Sequence, residues 1–215
     1  MSAARKAVLI FSLAFAPALS WGEPVVIAAL GDSLIQGYGL PQEDGFAPQL
    51  DAWLRARGAE VIVLNAGVSG DTTQGGLSRI DWTLTPDVDA LIVALGGNDL
   101  LRGIDPAVSR ANLDGILKAA TQRGVPVLLV GLAAPGNYGP DYKARFDAMY
   151  PELAMRYDAL HHESFMAALS ARAVERSALR KYMQADGIHP NKAGVVLIVE
   201  DLGPRVLELI DRTGG

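Results

Sequence analysis

Cysteine is absent from the 215 residues. That excludes disulfides, thiolate metal centres, iron–sulfur clusters and a cysteine nucleophile. It leaves the compartment open, because a chain of this length folds without covalent staples. Basic clusters are missing too. Lys plus Arg number 19 against 24 for Asp plus Glu, a formal net charge of −5. Without a run of Lys and Arg to neutralise phosphates, the chain is not a general nucleic-acid binder. Several motifs are also lacking. No Gly-x-Ser-x-Gly elbow occurs, since after Gly31 and Ser33 the next place is Ile35. No phosphate-binding Gly-x-x-x-x-Gly-Lys-Ser/Thr loop is present, and no Gly-x-Gly-x-x-Gly turn follows the first strand. His162-Glu163 begins a zinc-protease-like string, but Met166 stands where the second histidine belongs. The expectation is no metal and no cofactor.

What the chain does have is apolar bulk: 50% hydrophobic residues against 20% charged. That suits one packed domain and argues against disorder or coiled coil. The first residues stand apart. Arg5 and Lys6 precede an apolar stretch, residues 7–19, and small residues follow at Ala18, Ser20 and Gly22. This is the three-part layout of a secretory signal peptide. The stretch is short for a membrane span, which takes about 20 residues. Residues 1–22 are therefore expected to be a cleaved leader and residues 23–215 a single domain, secreted or periplasmic, monomeric, with no membrane span. Loss of residues 1–20 removes two positive charges and moves the formal net charge from −5 to −7.

Apolar runs at residues 24–30, 60–64, 88–95 and 125–130 read as strands buried on both faces, the mark of a parallel sheet. Helical patterns fall between them. Residues 44–57 place Phe46, Ala47, Leu50, Trp53 and Leu54 on one face. Asp105-Pro106 caps and opens a second helix with Leu113, Ile116, Leu117 and Ala120 inward. Residues 144–157 read as a helix broken or kinked at Pro151, and residues 191–210 as one disturbed at Gly203-Pro204. Alternating strands and helices predict an α/β fold with a mainly parallel sheet covered on both sides. Three strands end in polar, glycine-rich turns: Gly31-Asp32-Ser33, Gly67-Val68-Ser69-Gly70 and Gly96-Gly97-Asn98-Asp99. Ligands of open α/β sheets bind at the carboxyl ends of strands, so three segments converge on one rim.

A serine nucleophile needs a base, a group to orient that base, and donors for an oxyanion. Of 3 histidines, His161 and His162 lie in a region without motif character. His189 follows Asp186 by three residues, a separation one loop turn closes. Ser33 is the best nucleophile candidate. Gly67 offers a backbone N–H with no side chain in the way, and Asn98 offers its amide; with the Ser33 N–H these make a three-donor oxyanion hole.

Gly31-Asp32-Ser33-Leu34, the Gly67 turn, Gly96-Gly97-Asn98-Asp99 and Asp186-x-x-His189 together resemble the four blocks of the SGNH or GDSL hydrolase superfamily. The likeness runs from about residue 25 to residue 210 and is nearest to the bacterial secreted thioesterase/lysophospholipase/arylesterase type. It implies a three-layer α/β/α sandwich with a flavodoxin-like sheet. It also implies catalytic Ser33, Asp186 and His189, and an oxyanion hole of Ser33, Gly67 and Asn98. The expected reaction is hydrolysis of small acyl esters, aryl esters, acyl thioesters or lysophospholipids through an acyl-enzyme. A carbohydrate O-acetylesterase and a non-catalytic binding module on the same fold are the rival readings. Leu34, Leu77, Ile80, Leu100, Leu101 and the loop 132–142 are candidate walls of an acyl groove.

Overall fold

The computed structural model describes residues 23–172 and 179–214; the expected leader, residues 1–22, lies outside them. Five strands form one sheet: β1 (Val25–Gly31), β2 (Val61–Gly67), β3 (Ala90–Ala94), β4 (Val127–Val130) and β5 (Leu160–His162). All neighbouring pairs are parallel, in the order β2-β1-β3-β4-β5. That is the flavodoxin-like order, whose direction of growth reverses between β1 and β3.

The central strands are apolar throughout because both of their faces are covered. On β1, Ile27 and Ala29 join one core while Ala28 and Leu30 join the other. The first core holds Phe46, Leu50 and Leu54 of α2 (Phe46–Arg55), Leu169 of α8 (Ala167–Ala171), and Ile198, Leu202 and Val206 of α9 (Lys192–Asp211). The second holds Leu113, Ile116, Leu117 and Ala120 of α6 (Pro106–Gln122) and Phe146, Met149 and Leu153 of α7 (Pro140–Arg156). The whole predicted inward face of α6 is buried, and Asp105 caps it by accepting from the Ala107 N–H at 2.9 Å. Short helices α1 (Ser33–Gln36), α3 (Thr73–Ser78), α4 (Ile80–Thr83) and α5 (Gly97–Leu101) complete the set used below.

Neither expected disturbance interrupts its helix. Pro151 and Pro204 lie inside unbroken α7 and α9. Both prolines are exposed, so the carbonyl each one frees can bond to water. Gly203 has a different purpose. A Cβ there would sit 2.5 Å from the Trp53 ring, so its bare backbone lets α9 lie against α2. The edge strand β2 is covered by side chains: Asp51 Oδ2 accepts from the Val63 N–H at 3.1 Å, and Arg55 donates to the Val61 carbonyl. Unpaired strand edges invite association, and α2 closes this one.

Candidate active site

The turn after β1 runs straight into α1. Asp32 caps that helix, its Oδ1 accepting from the Leu34 N–H at 3.0 Å. Ser33 is the first helical residue, so its own N–H has no intrahelical acceptor. Its Oγ lies 2.9 Å from His189 Nε2, across 156 residues of sequence. His189 Nδ1 lies 2.7 Å from Asp186 Oδ2. Asp186 Oδ1 accepts from the N–H groups of Ile188 at 2.9 Å and His189 at 3.0 Å. The His189 bond and these two N–H groups hold the Asp186 carboxyl down at about 2. It is therefore ionised at any working pH and favours the ring tautomer with the proton on Nδ1. Nε2 is then left to accept from the Ser33 hydroxyl.

The loop bearing His189 is held from outside as well. The Gln184 N–H donates to the His189 carbonyl at 2.8 Å, and Gln184 Nε2 donates to the carbonyls of Tyr38 at 2.7 Å and Pro190 at 3.0 Å. The Tyr38 ring stands 4.7 Å from the imidazole, centroid to centroid. Asn191 caps α9 directly after the loop, its Oδ1 accepting from the Gly194 N–H at 3.1 Å.

Across the site stands a corner of donors. The Asn98 amide Nδ2 donates to the Asp71 carbonyl at 2.9 Å and, less tightly, to Asp32 Oδ2 at 3.2 Å. Burial raises the Asp32 carboxyl above its ordinary range, against the lowering pull of the Leu34 N–H and His189. The next residue in α5, Asp99, is wholly buried. Asp99 accepts from the Thr73 N–H at 2.8 Å, the Thr73 hydroxyl at 2.5 Å and the Ser109 hydroxyl at 2.8 Å, and Asn112 donates to Thr73 Oγ1 at 3.0 Å. This polar cluster ties α3, α5 and α6 together.

Gly67 is not part of the corner, which corrects the expectation from sequence. Its N–H donates to Asn65 Oδ1 at 3.0 Å. It is glycine because β2 meets α1 there: a Cβ would lie 2.2 Å from the Gln36 nitrogen. The glycine that faces the cavity is Gly70, three residues on, together with Ser69. Gly70 has φ +82°, and its N–H meets no acceptor among the described residues. Both glycines fall in the one turn after β2, and the cavity is bordered by Gly70 rather than Gly67. The signal lay in Asn65, whose polar side chain at a strand end could be expected to consume a nearby N–H.

Ser33, Gly70, Asn98 and His189 border one cavity of about 390 Å³. Its apolar walls are Leu34, Tyr38, Leu100, Leu101, Leu132, Met166 and Ile188. Of the expected groove residues, Ile80 is buried in the core and Leu77 packs beside Gly115; neither borders the cavity. From the loop 132–142 only Leu132 does, while Tyr138 lies over Gly103. Among the described residues no three His, Cys, Asp or Glu side chains gather to hold a metal.

A parallel sandwich with a serine, an imidazole and a carboxylate in hydrogen-bonded file at its switch point defines a class, the hydrolases of the SGNH fold. The comparisons narrow it. The GDSL-like lipase/acylhydrolase family model matches residues 29–196, and the chain belongs to that family. It is 35% identical over 185 residues to esterase TesA of Pseudomonas aeruginosa, covering 86% of this chain and 89% of that protein. It is 33% identical over 184 residues to thioesterase 1/protease 1/lysophospholipase L1 of Escherichia coli strain K12, covering 85% and 83%. Among solved structures, AlinE4, an SGNH-hydrolase family esterase, shares 44% identity with a TM-score of 0.71, covering 88% of this chain and 98% of that one.

Proposed function

We propose that Ser33, His189 and Asp186 run this carboxylic ester hydrolase through an acyl-enzyme. The observation that carries the reading is the unbroken file Ser33 Oγ to His189 Nε2 at 2.9 Å and His189 Nδ1 to Asp186 at 2.7 Å. Ser33 Oγ attacks the acyl carbonyl carbon as His189 Nε2 takes the hydroxyl proton. The carbonyl oxygen becomes an oxyanion, met by the N–H groups of Ser33 and Gly70 and by Asn98 Nδ2. The long Asn98–Asp32 contact is the one an incoming oxyanion displaces. The tetrahedral centre collapses, the bond to the leaving alcohol or thiol breaks, and His189 gives that group its proton. Water then attacks the Ser33 ester, His189 takes its proton, and the carboxylic acid leaves with Ser33 restored. The whole set comes from one chain, so a monomer suffices.

The walls of the cavity support short to medium acyl chains in esters, aryl esters, thioesters or lysophospholipids rather than acetylated sugars. Each methylene buried against Leu100, Leu132, Met166 or Ile188 contributes up to about 0.8 kcal/mol. The kcat/KM should therefore rise from acetyl to hexanoyl; a flat or falling series favours the acetylesterase rival. A fluorophosphonate probe should label Ser33 alone, read by peptide mass mapping, and labelling elsewhere or nowhere defeats the triad. Residues 1–22 act as a signal peptide that carries the enzyme out of the cytoplasm. Among the described residues no helix is long and apolar enough to cross a membrane. Protein recovered from its host should start between Leu19 and Glu23; an intact Met1 terminus contradicts the export reading.

A further inference from the structure

We infer that Arg79, which touches no substrate, is the positioning residue that assembles the oxyanion corner. The inference rests on the triad reading and extends it. Arg79 sits at the junction of α3 and α4, with its side chain only 22% exposed. Its guanidinium reaches three segments at once. Nη2 donates to the Gly31 carbonyl at 2.9 Å, Nη1 to the Ala66 carbonyl at 2.7 Å, and Nε to Asp71 Oδ2 at 2.7 Å.

Each contact lies on a segment that leads to a proposed oxyanion donor. Gly31 ends β1, two residues before the Ser33 N–H. Ala66 is near the end of β2 and leads into the turn that carries Gly70. Asp71 follows Gly70 directly, and its own carbonyl holds the Asn98 amide at 2.9 Å. No other side chain among the described residues bonds all three segments. The carbonyl ends of two parallel strands and a carboxylate point at one spot, and a planar cation with five fixed N–H donors satisfies them together. An ammonium is a single point charge and does not span the same three directions.

The consequence is kinetic. Oxyanion donors act because they are in place before charge develops, and a displacement of about 1 Å in a site costs on the order of 100-fold in rate. Without Arg79 the three segments keep their sequence and lose their common anchor. The loss falls on the transition state, where the three donors must converge, and spares ground-state binding in the apolar cavity.

The test compares Arg79→Ala and Arg79→Lys with wild type, using the full mature chain below its unfolding temperature. Arg79→Ala should lower kcat by about 10- to 100-fold with KM within twofold. Arg79→Lys should recover only part of that and serves as the readout if the alanine variant does not fold. Methylguanidine at millimolar concentration should raise kcat of Arg79→Ala several-fold, while equal concentrations of sodium chloride should not. Affinity for a trifluoromethyl ketone, which forms a tetrahedral adduct on the serine, should fall in step with kcat/KM. Folded variants that keep kcat within twofold, even at a lowered melting temperature, would make Arg79 a staple and overturn the inference. Ser33→Ala and Asn98→Ala run alongside. If those two keep wild-type turnover, it is the triad and corner reading that fails, and the two failures are told apart.

Discussion

The two halves of the site are built in opposite ways. The corner proposed to receive the oxyanion rests on a buried, over-determined support: Asp99 has no exposure at all and accepts three hydrogen bonds from α3 and α6. The half proposed to move protons is a loop at the surface. Asp186, its carboxylate, is 36% exposed at the side chain and is held by the turn it belongs to. Both are aspartates in signature blocks, and their surroundings separate them. A carboxylate deep in the fold pins a scaffold; a carboxylate in water holds a ring whose proton has to exchange with solvent-facing chemistry.

That contrast predicts a crossed pattern of mutant effects. The largest change in rate after loss of Ser33 or His189 belongs to Asp186→Ala. It should lower kcat by about 10²- to 10⁴-fold, as when a triad loses the group that sets the tautomer, while urea midpoints stay near wild type. Asn98→Ala comes next, with kcat down by about 10²- to 10³-fold and little change in KM. Asp99→Ala should reverse the pattern. It strands the Thr73 and Ser109 donors in a buried place, costing about 2–4 kcal/mol in denaturant unfolding. Equal stability losses at Asp99 and Asp186 would erase the distinction drawn here.

The smallest expected effect concerns pH and the sheet edge away from the chemistry. Burial first, then the neighbouring His162, lowers the His161 imidazole below its ordinary value. The folded state therefore resists its protonation and the unfolded state does not. Stability from this group is complete above the ordinary histidine value, about 6.5, and declines as pH falls below it. His161→Gln should flatten that slope in urea midpoints measured between pH 7 and pH 5. An unchanged slope would move the effect to another group.

Much of this was legible in the sequence because burial leaves a pattern. The all-apolar runs of β1, β3 and β4 and the capped face of α6 could be read directly, since a strand covered on both sides has no polar alternation to confuse it. Ser33 and Asn98 stood out as polar residues in turns after strands, and Asp186 and His189 as a carboxylate–imidazole pair three residues apart just before the last helix. β5 left no such trace: it is three residues long, and two of them are histidines. At Pro151 the choice between a break and a kink stayed open because exposure, which sequence does not display, decides whether a freed carbonyl matters. Gly67 and Gly70 share one turn, and only backbone direction tells which N–H faces the cavity. Arg79 was silent altogether, because its meaning is a set of distances to carbonyls 13 and 48 residues away.

The central claim is that Ser33 and His189 form one unit rather than two independent contributors. The most direct measurement is a double-mutant cycle on kcat with a short aryl ester, using Ser33→Ala, His189→Ala and the pair, each verified as folded. The account predicts that all three fall to one common residual rate, about 10⁴- to 10⁶-fold below wild type, because a triad loses its function with any one of these members. Single losses that multiply in the double variant, or a folded Ser33→Ala enzyme with near wild-type turnover, would contradict it.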